Sequence, residues 1–452
     1  MRVIIILILL IHCSAFAEDI PTSLNLEESI TFAIVHNQNV LSAKERIAAV
    51  GGQKLTAYSY FFPQVSAYGG LTRSSYLSNL SLGSSTKMPV FDAQGLPTGE
   101  YTYFPSFGFV SDREGNVYVG KISLQWPVWT WGRISGGYNL VLLSEQLTQE
   151  DYSRNISDAK LNVTQAFLSV ILAEEVLKAT IERNKSLATY IESVKKRYDE
   201  GLASKFDVLR SEVQLSNFQP LLLKAQNGAE IARMNFVTVL GLSPLLDIKL
   251  IGKLSYEDEN FNSDSFINEA LANRVEIKIG SLREKISDET IKIAWTGYRP
   301  SVALLGGYQW NRGQQFPPSD TIWQQGWDVG VGVNIPIFDG FATSGKIEEA
   351  QANLKQAKLA NEQLVNLITM EVKSAYLNLK SAKESIFAQE KNIQQAQESL
   401  NIVKERYNLG MATNLEVLDT EMSLLQANTN YLQALYDYNL SKAKLKKSIG
   451  QF

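Results

Sequence analysis

The strongest constraint on this chain is that it is written twice. RYDEGLASKFDVLRSEVQL begins at Arg197 and RYNLGMATNLEVLDTEMSL at Arg406, with Arg, Tyr, Gly, Ala, Val, Leu, Glu and Leu kept in place. The offset, 406 less 197, is 209 residues, and it also relates Pro127 to Pro336, Ala166 to Ala375 and Gly241 to Gly450. Upstream the offset is 237, linking Pro63 to Pro300, Gly69-Gly70 to Gly306-Gly307 and Ala33 to Ala270. The first copy therefore holds 237 less 209, or 28, extra residues within 74–116, a Ser/Gly/Pro-rich stretch. Turn signals stand there at Gly95-Leu96-Pro97 and at Asp112-Arg113-Glu114-Gly115-Asn116. Self-similarity at a fixed offset means one structural unit used twice. The predicted organisation is a first repeat over 18–242, a linking segment over 243–262 broken by Pro244 and Glu257-Asp258-Glu259-Asn260, and a second repeat over 263–452.

Composition removes most chemistry. Met1 to Ala17 reads as a secretory signal, with Arg2, an apolar run from Val3 to Ile11 and Ala15-Phe16-Ala17 as the cleavage site. A lipoprotein signal ending at Cys13 is the rival reading, with His12 where a small residue is expected. Cleavage after Ala17 removes Cys13 and His12 and leaves His36 as the sole histidine. Disulfides, thiolate metal sites, cysteine nucleophiles and histidine acid–base chemistry then have no residues to work with. The 43 Lys+Arg less Arg2, against 47 Asp+Glu, give a net charge of −5, unlike the basic surface a nucleic-acid binder needs. Gly340-Phe341-Ala342-Thr343-Ser344-Gly345-Lys346-Ile347 follows a strand pattern and opens a helix, as a phosphate-binding loop does, but Ile347 stands where the metal-binding hydroxyl belongs. No cofactor, metal or enzymatic activity is expected. Outside the signal no stretch approaches ~18 uninterrupted apolar residues, so no transmembrane helix is predicted.

Each repeat opens with a helix, Leu26 to Tyr60 and Asp264 to Trp295, followed by two strands. Strands are expected at 63–73, 117–127, 300–310 and 327–336. Trp327, Val329, Val331, Val333 and Ile335 alternate with Asp328, Gly330, Gly332 and Asn334, and Val302, Leu304, Gly306, Tyr308 and Trp310 form the partner's set. In the first repeat Tyr118, Gly120, Ile122, Leu124 and Trp126 alternate with Val117, Val119, Lys121, Ser123 and Gln125, and Val65, Ala67, Gly69 and Leu71 make a weaker set. Segments of ~10 residues, apolar outward and polar or glycine inward, are the pattern of a transmembrane β-barrel. Trp126, Trp129, Trp131, Trp310, Trp323 and Trp327 near the strand ends suit a membrane-interface belt. A half-buried hairpin in a soluble sheet is the alternative for any single strand. Four strands cannot close a barrel, and an open edge in lipid leaves unpaired backbone groups costing several kcal/mol each, so a membrane role demands oligomerisation.

Long helices follow each hairpin, at 135–200 and 341–409, with returns at 204–240 and 413–449; Pro220 is expected to kink the first return. Every seventh residue from Ile156 gives Ile156, Val163, Val170, Leu177, Asn184, Ile191 and Tyr198, and Ala159, Ala166, Ala173, Thr180, Leu187 and Val194 interleave. The second repeat keeps the same seam from Val365 to Tyr407. This is a coiled-coil heptad. Between long and return helix both halves carry Arg197 or Arg406, a stop at Gly201 or Gly410, and Ser204-x-x-Asp207 or Thr413-x-x-Glu416 as capping boxes. Capping accounts for Glu416 first, but not for Asp419, one turn further on the same face, whose counterpart is Arg210.

With the duplicated units, Ile335-Pro336-Ile337-Phe338-Asp339-Gly340 at a strand exit and the paired RYxxG turns, the mature chain resembles the TolC-type outer-membrane efflux family. The first repeat departs at Trp126-Pro127-Val128-Trp129-Thr130-Trp131. The resemblance implies an α+β membrane protein, a homotrimer whose three sets of four strands close a 12-stranded barrel on a helical periplasmic tunnel. It implies an exit duct for efflux or type I secretion, working with a periplasmic adaptor and an inner-membrane pump. It places gate carboxylates at Glu416 and Asp419, a bond between Tyr407 and Asp207, and adaptor docking on Gly201-Leu202-Ala203 and Gly410-Met411-Ala412, with Ala412 where the family has a tip arginine. A pore-less periplasmic coiled-coil adaptor or tether is the alternative.

Overall fold

The computed structural model describes residues 22–81, 86–91, 97–104, 108–258, 265–312 and 322–452. The signal, both cleavage readings, Gly95-Leu96 and residues 259–262 of the linking segment lie outside them. Two compact units emerge among the described residues, a helical one drawn from 22–51, 142–258, 265–287 and 352–452, and a sheet unit drawn from 52–81, 86–91, 97–104, 108–141, 288–312 and 322–351.

In the helical unit each opening helix is broken, contrary to the single helices expected. The first is α1 (Leu26–His36) and continues as α2 (Gln38–Ser59); its counterpart is α5 (Phe266–Asn273) and then α6 (Val275–Trp295). The breaks fall on Asn37 and Arg274, which are equivalent at the 237 offset, and both are extended. A repeat-equivalent glycine packs against each break. A Cβ on Gly241 would meet the His36 carbonyl at 2.3 Å, and one on Gly450 would meet Asn273 at 2.9 Å, so backbone sits where a side chain would be. The short strands β1 (Ser23–Leu24) and β6 (Lys249–Leu250) pair in parallel beside this region.

The long helices are α3 (Arg133–Asp199) and α7 (Ala342–Asn408), the returns α4 (Lys205–Val239) and α8 (Asn414–Ser448). Helix α4 runs on through Pro220 without a break. The heptad seam is the core: Val163, Val170, Ile191 and Val194 in α3, and Val372, Leu379, Ile386 and Leu400 in α7, are buried. Seam alanines 159, 166, 375 and 382 are buried too, letting helices approach closely. The first repeat packs its own cluster around Phe167 and Phe236, the second around Tyr438 and Leu445. Two smaller clusters join the repeats, Leu187, Ile191, Phe218, Leu418 and Leu425 in one, Val194, Val208, Tyr407 and Val417 in the other.

The sheet unit holds β2 (Gln64–Ser81), β5 (Gly108–Trp129), β7 (Ser301–Arg312) and β8 (Gln324–Asn334), antiparallel in the order β2-β5-β7-β8. The register places all four apolar sets on one face. Val65 opposes Leu124, Leu124 opposes Gly306 and Gly306 opposes Val329, while Trp126, Leu304 and Val331 align one step away. Direct opposition means a shared face. Trp310 covers its partner Gly120, where a Cβ would collide with the indole at 2.2 Å. After β5 and after β8 the chain turns through two left-handed residues, Trp131-Gly132 and Gly340-Phe341, at equivalent positions. The departure from family sequence in the first repeat thus keeps the turn.

The turn signal at Asp112 to Asn116 is not a turn. Strands β2 and β5 run on together, and Asp112 to Asn116, read as a turn, pair with Leu77 to Arg73 inside the ladder. A further hairpin, β3 (Thr86–Phe91) with β4 (Pro97–Phe104), follows. Alternation was broken by charged and glycine residues, but pairing with a long partner overrides weak strand propensity.

Candidate functional site

The turns joining long to return helix are built alike. Gly201 and Gly410 are left-handed, at φ 77° and 74°. Leu202 N–H donates to the Arg197 carbonyl and Met411 N–H to that of Arg406, both at 2.7 Å. These are Schellman caps, which need a residue without a Cβ penalty. Ser204 and Thr413 then cap α4 and α8, and both capping boxes are complete. Leu202 and Met411 stand exposed at the turn apices, with Ala203 and Ala412 half-buried beneath them.

Glu416 accepts from the Thr413 backbone N–H at 3.1 Å and from its hydroxyl at 2.9 Å. Those bonds hold its carboxyl below the ordinary glutamate range, with Arg406 adding to the effect. Asp419 is exposed, and its carboxylate has no hydrogen bond or ion pair among the described residues. The two carboxylates therefore differ as their spacing suggested, one engaged in a cap and one free.

The bond expected between Tyr407 and Asp207 is absent among the described residues. Asp207 Oδ2 is taken by Ser204, accepting from its hydroxyl at 2.6 Å and its backbone N–H at 3.2 Å. Tyr407 is instead buried against Tyr190, ring centroids 5.7 Å apart, and burial pushes both phenols up. Arg197 lies over the Tyr407 ring at 5.0 Å and donates to the Asn408 carbonyl at 3.4 Å, tying the first turn to the second.

The residue that most firmly joins the two turns is one the sequence did not single out. Asn414, buried at the start of α8, accepts from the Tyr190 hydroxyl at 2.8 Å and donates to Ser211 Oγ at 2.8 Å and the Asp207 carbonyl at 3.0 Å. Every polar group in this knot has a partner, which is what makes a buried network stabilising. A polar Asn facing a seam opposite Tyr190 was the available signal, and the repeat counterpart Lys205, exposed, hid it. Further along α8, Glu421 is 1% exposed and binds Arg183 of α3 and, at 2.6 Å, Lys404 of α7.

The six tryptophans read as an interface belt fall at two levels. Trp129 opposes Val302, and Trp310 lies eight residues along β7. At ~3.4 Å per residue that is about 27 Å along the strand, or roughly 19–22 Å of height at the ~35–45° tilt of outer-membrane barrel strands, whose apolar band is ~25 Å tall. Trp126, Trp129 and Trp131 gather at one level, where Trp126 Nε1 donates to the Phe61 carbonyl at 2.9 Å and Trp129 and Trp131 meet edge to face. Trp310, Trp323 and Trp327 lie near the other, with Tyr118 against Trp323. Trp327, Val329, Val331 and Val333 are all largely exposed. The loop resembling a phosphate cradle is a helix start whose anion position is filled, because Asp339 accepts from Thr343 N–H at 2.8 Å.

Comparison with known proteins agrees with this geometry. The family described as "Outer membrane efflux protein" matches residues 30–242 and 266–451. The chain is 21% identical over 389 residues to outer membrane protein TolC of Escherichia coli K12, covering 81% of this chain and 76% of that one. It is 20% identical over 357 residues to the alkaline protease secretion protein AprF of Pseudomonas aeruginosa, covering 76% and 71%. Among solved structures, the Campylobacter jejuni CmeC outer membrane channel superposes with a TM-score of 0.76 at 17% identity, over 94% of this chain and 85% of that one. The broken opening helices, shared apolar strand face and paired tips make up the fold of the solved outer-membrane channels. The chain belongs to the outer membrane efflux protein family, and it serves as an outer-membrane exit duct for efflux or secretion; a pore-less adaptor finds no support.

Proposed function

We propose that three copies of this chain close one 12-stranded barrel in the outer membrane and pass substrates outward from an inner-membrane pump engaged through a periplasmic adaptor. The observation that carries this reading is the sheet, four antiparallel strands with one continuous apolar face and with β2 and β8 as its two edges. Such edges cannot face lipid, where each unpaired backbone group costs several kcal/mol. The alternation lets β8 of one copy meet β2 of the next antiparallel, and bacterial barrels close with an even strand number. The tryptophan levels then mark the two membrane interfaces. Export on the signal ending at Ala17 brings the chain to that membrane.

In this reading the hairpin tips are the periplasmic gate. Three copies of Asp419 around an axis repel unless cations or protons intervene, so conduction depends on ionic conditions. Glu416 adds charge but mainly holds the start of α8, and Tyr407 and Asp207 support the turns through Tyr190 and Ser204. The exposed Leu202 and Met411, on the Gly201-Leu202-Ala203 and Gly410-Met411-Ala412 turns, offer small apolar knobs to an adaptor. Planar-bilayer recording tests the gate. Asp419→Ala is expected to raise conductance severalfold while Glu416→Ala leaves it within twofold; an unchanged Asp419→Ala channel overturns the assignment.

A further inference from the structure

Glu421 takes no part in the capping or gating just described, yet its carboxylate is the most deeply buried charge of the tips. It is 1% exposed, Arg183 of α3 binds one oxygen, and Lys404 of α7 binds the other at 2.6 Å, with Ser186 Oγ at 3.5 Å. Three helices from both repeats therefore converge on one group. The repeat offers a natural contrast. Glu212 and Lys195 are the counterparts of Glu421 and Lys404, and they too pair, at 2.8 Å, but both are almost half exposed, and Asn392 stands where a second arginine would be.

At 3.6 residues per turn, two residues are separated by about 200° around a helix. Asp419 precedes Glu421 by two positions, so burying one carboxylate in the ion knot aims the other away from it, which is where the exposed Asp419 is found. Helix α8 cannot rotate about its axis without drawing Glu421 out of contact with Arg183 and Lys404. We infer that Glu421 is a positioning residue for the gate: held by Arg183 and Lys404, it fixes the rotation of α8 and thereby the direction in which Asp419 presents its charge. This rests on the gate reading of Asp419 given above.

The test uses the full-length trimer, with Glu212→Gln as the matched control for Glu421→Gln. Hydrogen exchange of α8 amides 414–425 and the magnesium concentration that halves bilayer conductance are read for both. Glu421→Gln is expected to speed exchange at least tenfold and to shift the half-blocking concentration at least threefold, and Glu212→Gln to do neither. Equal behaviour of the two variants overturns the inference. Should Glu421→Gln fail to assemble, Lys404→Gln, which leaves Arg183 in place, is expected to move both readouts in the same direction by a smaller factor, and no movement overturns it. A wild-type trimer whose conductance magnesium does not affect would instead sink the gate reading, and the exchange comparison alone would then decide whether Glu421 fixes α8.

Discussion

The two hairpin tips descend from one sequence and are not equivalent. Tyr198 is 40% exposed and Tyr407 9%, although they occupy the same repeat position. Arg406 folds back onto its own turn, donating to the Met411 carbonyl at 3.0 Å, whereas Arg197 reaches across to Asn408. Lys205 lies exposed over Tyr198, and its counterpart Asn414 is the buried hub of the polar knot. The turns themselves, cap for cap, are the same. Local backbone chemistry was thus kept in both copies, while the side chains that face the other hairpin diverged. The second tip is the docked one, and the first supplies the surface it docks on.

Substitutions at matched positions should separate what is shared from what diverged. The largest difference is expected at the hub. Asn414→Leu strands the Tyr190 hydroxyl, while Ser211 keeps its bond to the Asp207 carbonyl, a loss of about 1–3 kcal/mol, whereas Lys205→Leu should stay within ~0.5 kcal/mol; local exchange of the tip amides reads both. Next come the glycines. Gly201→Ala and Gly410→Ala each force a side chain into the left-handed region at about 1–2 kcal/mol, and equal losses would confirm that the turns are equivalent. A smaller effect follows pH. The folded Glu416 carboxyl is held below its ordinary range, so its capping contribution is full above the unfolded glutamate value and fades as pH falls through the folded one. The protection factors of the Leu415 to Val417 amides, taken relative to intrinsic exchange at each pH, should therefore fall on acidification, and Glu416→Gln should abolish that fall. Least visible in stability are Leu202→Asp and Met411→Asp, within ~0.5 kcal/mol, although each is expected to weaken capture of the purified adaptor at least tenfold.

Much of this architecture can be read from the sequence because it is periodic. The heptad seam and the alternating strand sets are long, and the register confirmed that the four apolar sets share one face. Capping boxes are equally legible, since they are spelled by four adjacent residues. What escaped was contact between residues far apart in the chain. The breaks at Asn37 and Arg274 lie against Gly241 and Gly450, about two hundred residues away, and the local signal is slight: the Asn37 side chain caps the next helix, accepting from the Asn39 and Val40 N–H groups. The β2 and β5 ladder runs on through charges and glycines that read as turn signals, because a partner strand compensates for them. At the tips, resemblance directed attention to Tyr407 with Asp207, but Ser204 satisfies Asp207 locally, which left Tyr407 to Tyr190. Asn414 and Glu421 read as ordinary helix residues until α3 and α7 are brought beside them.

The central claim is that one chain contributes four strands to a shared barrel. The most direct measurement is the protein mass of the detergent-solubilised particle, taken on the same preparation whose channel activity is recorded in planar bilayers. The account predicts three chains per particle and a cation-sensitive conductance. A monomeric particle, or a trimer that conducts nothing, would contradict it.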